Sequence, residues 1–474
     1  MRVGEVAERA GVNVETLRYY ERRGLLPAPT RQPSGHRRYD EDTVRLLRAI
    51  KDAQAVGFTL AEIGEYLRDA HRSASPSDAL RIRMAAKIDE IDGRIAGLRR
   101  MRDELARVVG CACSSLDDCT CGAAFLARRG KESRVRPAVL HVTNGESAGN
   151  TLRQTRLAGA VLPWSDALHE GPVPAGTRTE LLRVRAGFLS ECGWGSRRAL
   201  LSVLQRRDQQ YLEALTEGRP TVLWFEHDLY DQLQLLDALG LAAEAHASPE
   251  LIVIGTFPGR QRFTGLGELT ADELETLWPS RTAASPEALA AATTVWTAFR
   301  AAEPTGLRCF ADRSVPGLPY LAPAVERLLE ELPSASDGLS TTERLALEAV
   351  AAGADTPGAA FVASQRLERA PFLGDTWFYR TLAVLGSGPA RLVETADGDP
   401  LPPAPPTGDP HLFARLRLRV THDGEAVLRG EADRVELLGI DRWIGGTHIT
   451  RENAWRWDAN ARRVFPQTSR DAAE

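Results

Sequence analysis

The sequence predicts a multidomain chain in three parts. These are an N-terminal all-α winged helix-turn-helix with a dimerisation coiled coil, an α/β domain with a mainly parallel sheet, and a small winged-helix-like α+β segment. Three observations predict it. Two short helical patterns joined at Gly11 precede a basic hairpin and a long, apolar-striped helical stretch. Four apolar runs then alternate with helical patterns over 138–257. At 474 residues the chain has room for about three domains of ~150 residues each.

Composition narrows the class. Hydrophobic residues make up 43% and charged residues 26%, enough for each part to bury a core. No apolar run reaches the ~18 residues of a membrane span, and MRVGEVAERAG is amphipathic and unlike a signal peptide. A cytoplasmic location with no membrane partner is expected. Residues 1–131 carry 24 Lys+Arg against 19 Asp+Glu, while the remainder carries 35 against 45. A locally basic segment on an acidic protein points to polyanion binding by that segment alone.

Residues 3–10 place Val3, Val6, Ala7 and Ala10 on one helical face. After Gly11, Asn13 N-caps a second short helix with Thr16 and Leu17 in its first turns, a helix-turn-helix whose second helix suits the major groove. Pro27 and Pro29 stop it. RQPSGHRRY reads as a hairpin wing around Ser34-Gly35, carrying Arg31, His36, Arg37, Arg38 and Tyr39. Guanidinium groups and a tyrosine hydroxyl there suit phosphate contacts, which position a protein without reading bases. Over 78–109, Ile88, Ile91, Ile95, Leu98, Leu105 and Val109 form a stripe at 3,4 spacing, with Met101 covering the slot that Arg102 interrupts. At 1.5 Å per residue this helix is roughly 48 Å long, and one apolar stripe on it calls for a partner. GCACSSLDDCTCG follows, with Cys111, Cys113, Cys119 and Cys121 as four soft thiolate donors in one loop, whereas Cys192 and Cys309 stand alone. In a reducing compartment such a cluster favours metal or redox chemistry over a disulfide framework.

These residues carry a resemblance. GEVAERAGVNVETLRYYERRGLLPAPTR, GHRRYDEDTVRLLRAIKDAQ and GFTLAEIGEYL resemble the N-terminus of the MerR family of bacterial transcription regulators, almost without gaps over about 70 residues. The LRYYE-x-x-GLL core and the GF-[ST]-L-x-EI helix pair are specific; His36 departs from the family's usual Tyr. The resemblance implies a homodimer, joined by an antiparallel coiled coil of the 76–110 helix, on a promoter with a long spacer that the activated regulator untwists for RNA polymerase. It implies DNA contacts by Arg18, Tyr19, Tyr20, Arg37 and Tyr39, beside Thr16, Arg31, His36 and Arg38 on the same helix and wing. In metal-sensing relatives a cysteine pair after the dimer helix holds the inducing ion. The separation of Cys111 and Cys119 is similar to that in monovalent copper-type sensors, and Ser75 stands where those sensors carry Ser. A thiolate pair suits Cu(I), and further ligands suit Zn(II) or Hg(II). C-x-C-x5-C also resembles the family's iron–sulfur redox sensor. Val108 occupies the place of its remaining cysteine, so a cluster would have to recruit Cys121.

Chain organisation follows: the DNA-binding domain at 1–72, the dimer helix at 76–110, the effector loop at 111–122 and a basic linker at 123–137. An α/β domain is expected at 138–332 and a winged-helix-like segment at 333–466. In the α/β domain the runs beginning at AVLHVT, GAVLPW, TVLWFE and LIVIGTF are strands. Polar residues gather where they end: Asn144 and Ser147, then Asp166, His169 and Glu170, then Glu226, His227 and Asp228. The carboxyl ends of parallel strands are where such sheets bind ligands, so these eight form a candidate site for a small molecule, with Asp228 alternatively a helix cap. GESAG matches the G-x-S-x-G nucleophile elbow between strand and helix, but no HGGG-type segment accompanies it. The His/Asp/Glu set lacks H-x-x-x-H metal spacing. An anion at the Gly-rich turn is the simpler ligand. No catalytic residue is assigned. LHVTNGESAG, LPWSDALHEGPVP, LWFEHDLYDQLQLL and GIDRWIGGTHI resemble a bacterial domain-of-unknown-function family over roughly 138–460, which implies no activity.

In the last segment, LSTTERLALEAVAAG and LGDTWFYRTLAVLG are helical, and RLRVTHDGEAVLRGEAD reads as a hairpin centred on Asp423-Gly424. DGDPLPPAPPTGDP is a Pro-rich loop, and Trp443, Trp455 and Trp457 are expected in the core. The function expected is a sequence-specific, effector-responsive DNA-binding regulator. The alternative is a bifunctional chain whose α/β part is a hydrolase or a phosphate-acting transferase.

Overall fold

The structure, a computed structural model, describes residues 1, 3–10, 17, 20, 25–26, 30–31, 37–55, 138–408 and 410–467. It divides into two units, Met1–Ser133 and Arg134–Glu474. The expected second half of the helix-turn-helix, the helix pair at 58–67, the dimer helix, the cysteine loop and the linker lie outside the described residues.

In the first unit the helix Val3–Ala10 buries Val6, Ala7 and Ala10, the face that the spacing predicts. β1 (Thr30–Arg31) pairs antiparallel with β2 (Arg37–Arg38), so the expected wing is present as a ladder. Asp40 then caps the helix Glu41–Ala55: its Oδ1 accepts from the Thr43 backbone N–H at 2.8 Å and from the Thr43 hydroxyl at 2.7 Å. Those bonds favour the ionised carboxylate and lower its pKa. Val44, Leu47 and Ile50 turn inward from this helix onto Val6 and Leu17.

In the second unit β3 (Val139–Thr143), β4 (Gly159–Pro163), β5 (Thr221–Glu226), β6 (Glu250–Ile254) and β7 (Thr282–Ala283) form one sheet in the order β4-β3-β5-β6-β7. The first four are mutually parallel and β7 closes the edge antiparallel. Strands buried on both faces read as unbroken apolar runs, which is why all six residues of TVLWFE are buried. The helix Leu229–Glu244 is buried on nearly all sides, its Asp231, Gln232, Gln234 and Asp237 included, because it packs on β5 and on the helices Pro286–Phe299 and Leu321–Leu329.

The last segment departs from expectation in two ways. β10 (Asp441–Ile444) pairs with β11 (Thr447–Thr450), and β12 (Trp455–Asp458) with β13 (Arg463–Pro466). Ile444, Ile449, Trp455 and Trp457 share one core with Leu140, Val142 and Phe225 of the sheet, so this end completes the α/β layer. Trp443 is only half-buried and stacks on His448. Second, Asp423-Gly424 is not a turn. The Thr421 hydroxyl accepts from the Gly424 N–H at 3.0 Å and caps the helix His422–Leu428. β9 (Leu418–Val420) pairs instead with β8 (Val393–Thr395), antiparallel. Those two strands and the helices Thr341–Ala351, Pro357–Leu367 and Asp375–Leu385 gather a second core around Leu347, Phe378 and Leu382. Among the described residues no helix is long and apolar enough to cross a membrane.

Candidate functional site

On the wing, Thr30 faces Arg38 and Arg31 faces Arg37 across the ladder, and the Arg38 side chain is exposed. Tyr20 and Tyr39 are each only 5% exposed and belong to the core of the unit. Thr16, Arg18, Tyr19 and His36, like Cys111, Cys113, Cys119 and Cys121, lie outside the described residues.

In the second unit the chain runs from β3 to β4 on one side and returns to β5 on the other, so the sheet order reverses between β3 and β5. Such a switch point leaves a crevice beyond the carboxyl ends of the two strands. Asn144 ends β3 there and Glu226 ends β5. The Asn144 Nδ2 donates to Glu226 Oε1 at 3.1 Å and to Asp231 Oδ2 at 2.8 Å. The Leu266 N–H donates to Glu226 Oε1 at 2.5 Å, and the Glu226 N–H to Asp231 Oδ1 at 2.7 Å. Gly265 permits that approach, because a Cβ would stand 2.5 Å from Glu226 Oε2. Asp228 is the cap of the helix Leu229–Glu244, its Oδ1 accepting from the Asp231 N–H at 3.0 Å.

Three buried carboxyl groups therefore share one spot, with one oxygen of each within 4.8 Å of the others. Burial, then the Asp228 charge, pushes the Glu226 pKa up to about 8. Burial likewise pushes Asp228 up to about 7, and burial with both neighbours raises Asp231 well above the carboxylate range. The cluster can hold a proton at neutral pH, and its all-oxygen donors are of the kind that suit a hard cation.

The other expected residues separate from it. Ser147 is exposed in the first turn of the helix Glu146–Leu152 and has no hydrogen bond to a histidine among the described residues, so GESAG is a strand-to-helix turn without a triad. His227 is half-buried against Phe263 and Tyr320, and burial lowers its pKa. Asp166, His169 and Glu170 form a different constellation. Asp166 pairs with the fully buried Arg185 at 2.7 Å, and Arg185 also donates to the carbonyls of Ala167 at 2.8 Å and Glu170 at 2.6 Å, locking the loop. His169 sits edge-on to Tyr230 and Phe372, and burial with the nearby Arg185 charge pulls its pKa down to about 3. It is a neutral core imidazole. Glu170 is raised by burial and stands 3.6 Å from Arg442, which itself pairs with Glu331 at 2.6 Å.

Sequence reasoning missed Asp231, Arg185, Glu331 and Arg442. Asp231 was within reach, since EHDLYD repeats an acid at helical spacing after Asp228. Arg442 arrives from a segment 272 positions beyond Glu170, with no local cue but GIDRWIGG.

The comparisons bear on the first unit. The model of MerR HTH family regulatory proteins matches residues 1–70, and a second, MerR DNA-binding model matches 44–108. The mercuric resistance operon regulatory protein of Bacillus cereus is 42% identical over 100 residues, 21% of this chain and 76% of that protein. This chain belongs to the MerR family. Another MerR-type relative, the SoxR homolog of Chromobacterium violaceum, is 39% identical over 119 residues, covering 25% of this chain and 79% of its own. Among solved structures, the MerR regulator of Bacillus megaterium MB1 in complex with mercury(II) ion is 33% identical, over 27% of this chain and 98% of that one, with a TM-score of 0.22. Both MerR family models end at or before residue 108, ahead of the α/β unit.

Proposed function

We infer that this MerR-family chain is a DNA-binding transcription regulator that responds to an effector and works on promoter DNA as a homodimer. One observation carries the reading: the two family models together span the helix-turn-helix, the wing and the stretch after it. The basic excess confined to residues 1–131 supports it. Helix 13–24 would read the major groove while the exposed Arg38 of the wing neutralises phosphate.

The finer part of the proposal is the effector. Relatives carry names that mention mercury resistance, and four thiolates in eleven residues are a donor set that fits a soft ion such as Cu(I), Zn(II) or Hg(II). Cys111 and Cys119 would hold it, with Cys113 or Cys121 completing the set; an iron–sulfur cluster is the second fit, and needs Cys121. The loop follows directly on the 76–110 helix, so ordering it would re-set that helix against its partner and turn the two DNA-reading units. The fused unit would then serve as a second sensor.

Full-length protein should retard DNA from upstream of its own gene and drive a metal-dependent reporter from it. Absence of a specific complex would sink the regulator reading. A metal response that survives Cys111→Ser with Cys119→Ser would sink the thiolate assignment alone.

A further inference from the structure

The second unit carries an open cavity of about 810 Å³ between the α/β layer and the helices after Leu339. It is built by segments distant in sequence. The 164–174 loop supplies Glu170, β10 supplies Arg442 and Trp443, the helix Arg178–Glu191 supplies Phe188, and the helix Asp375–Leu385 supplies Trp377 and Arg380. Loop and hairpin are tied together where the Val173 N–H donates to the Gly445 carbonyl at 2.7 Å. Gly445 is required at that junction: its φ is +59° and a Cβ would lie 2.0 Å from the Phe299 carbonyl oxygen.

Charge decides what the cavity takes. Of its three guanidinium groups, Arg434 is matched by Glu343 at 2.8 Å and Arg442 by Glu331 at 2.6 Å. Arg380 has neither an ion pair nor a hydrogen bond among the described residues, and lies 5.5 Å over the Trp377 ring. Arg380 is partly buried, and its guanidinium presents up to five donors in a fixed fork that no protein acceptor among the described residues occupies. An oxyanion satisfies the fork in its own geometry.

Three aromatic rings, Phe188, Trp377 and Trp443, stand among the otherwise mixed lining, and each is held in a stacked pair. Trp377 stacks on Phe188 at 5.9 Å with 6° between planes, and Trp443 stacks on His448 at 4.4 Å with 4°. Stacked rings present flat faces and edges to a planar guest. The volume is that of pockets for small organic ligands, on the order of 300–1,000 Å³.

We propose that this cavity binds a small aromatic anion, a ring carrying one carboxylate or phosphate, with Arg380 on the anionic group and Trp377 and Trp443 against the ring. Glu170 lines the same cavity 3.6 Å from Arg442 and offers a polar contact elsewhere on the guest. The proposal concerns binding by the second unit only, so a failure of DNA recognition or of the cysteine loop leaves it standing.

Calorimetry and thermal shift on the full-length protein test it, with salicylate, indole-3-acetate and AMP as probes and benzyl alcohol and inorganic phosphate as controls. At least one aromatic anion binds saturably, and both controls bind about tenfold more weakly or not at all, since each offers only half of the contacts. Carboxylate and phosphate arms identify which oxyanion is preferred. Arg380→Gln lowers affinity about tenfold or more, and Arg380→Lys, which keeps the charge without the fork, falls between. Neither change removes an ion pair from the fold, so unliganded melting stays near wild type. Binding by none of the three anions overturns the proposal, as does wild-type affinity in Arg380→Gln.

Discussion

The Asn144 amide and the Glu226 carboxylate stand 82 positions apart in the chain and 3.1 Å apart in space, joined across the point where the sheet reverses its order. Asn144 also reaches Asp231 at 2.8 Å, so one neutral donor holds two carboxyl groups that would otherwise repel. A hydrogen bond between uncharged groups contributes roughly 0.5–1.5 kcal/mol, and its loss leaves buried acceptors unmatched at a cost of about 1–3 kcal/mol. Asn144→Ala is therefore expected to destabilise the second unit by about 2–3 kcal/mol. All nine tryptophans lie at or after Trp164, so intrinsic fluorescence during urea unfolding follows that unit alone. An unchanged midpoint would mean that the cluster holds itself together without the amide.

The same cluster makes stability depend on pH, with a sign opposite to that of ordinary surface carboxylates. Glu226, held near 8, and Asp228, held near 7, bind protons in the folded unit that they release on unfolding. Their stabilisation is complete below the unfolded carboxylate pKa of ~4 and is lost as pH rises through 7 and 8. His141, lowered to about 4 by burial, and His169, lowered to about 3, act the other way. They are neutral in the fold, so their penalty on stability disappears as pH rises toward ~6.5. The two sets oppose one another between about pH 4 and 6.5, so the fluorescence-detected melting temperature should fall chiefly between about pH 6.5 and 8, once the histidines contribute no further change, and level off above that. Glu226→Gln removes the proton exchange at that residue and should flatten the alkaline limb; an identical limb in that variant would exclude Glu226 as its source.

Arg185 and Asp166 illustrate a buried pair whose value lies in not being broken. Both side chains are at most 2% exposed, and the guanidinium also holds carbonyls at residues 167, 170 and 172. Removing one member of such a pair costs about 3–5 kcal/mol because the other charge stays buried. Asp166→Ala and Arg185→Ala should each lower the unfolding midpoint steeply, and the double change should cost less than the two single losses combined. Strict additivity would show that the two charges act independently.

The sheet was legible because parallel strands covered on both faces must be apolar along their whole length, as Val139–Thr143 and Thr221–Glu226 are. The polar residues at their ends were legible for the complementary reason, since Asn144, Glu226 and Asp228 interrupt those runs. Which of them meet was not. Register decides that Asn144 faces Glu226, while Asp166 and Glu170 answer to Arg185 and to Arg442, an arginine brought from β10. The Asp423-Gly424 pair misled because its hairpin signal is local, and Thr421 one turn earlier offers the Gly424 N–H a helix cap instead. Tyr20 and Tyr39 carry two signals at once: an aromatic beside arginines suits a phosphate, and a large ring also closes a small core, where both are buried.

The Arg38 side chain on the wing is exposed, and in the proposed DNA complex it would meet phosphate. An exposed guanidinium that touches only phosphate adds a charge interaction common to every sequence, and releases about one counterion when it binds. Arg38→Ala should weaken binding to the promoter and to unrelated duplex DNA by a similar factor, and should make the slope of log K against log salt shallower by about one unit. Titrations of a labelled promoter fragment and a scrambled fragment, each at several salt concentrations, measure both quantities. If only the promoter complex weakens and the salt slope is unchanged, Arg38 reads a base edge, and the wing enters a groove instead of riding on the backbone.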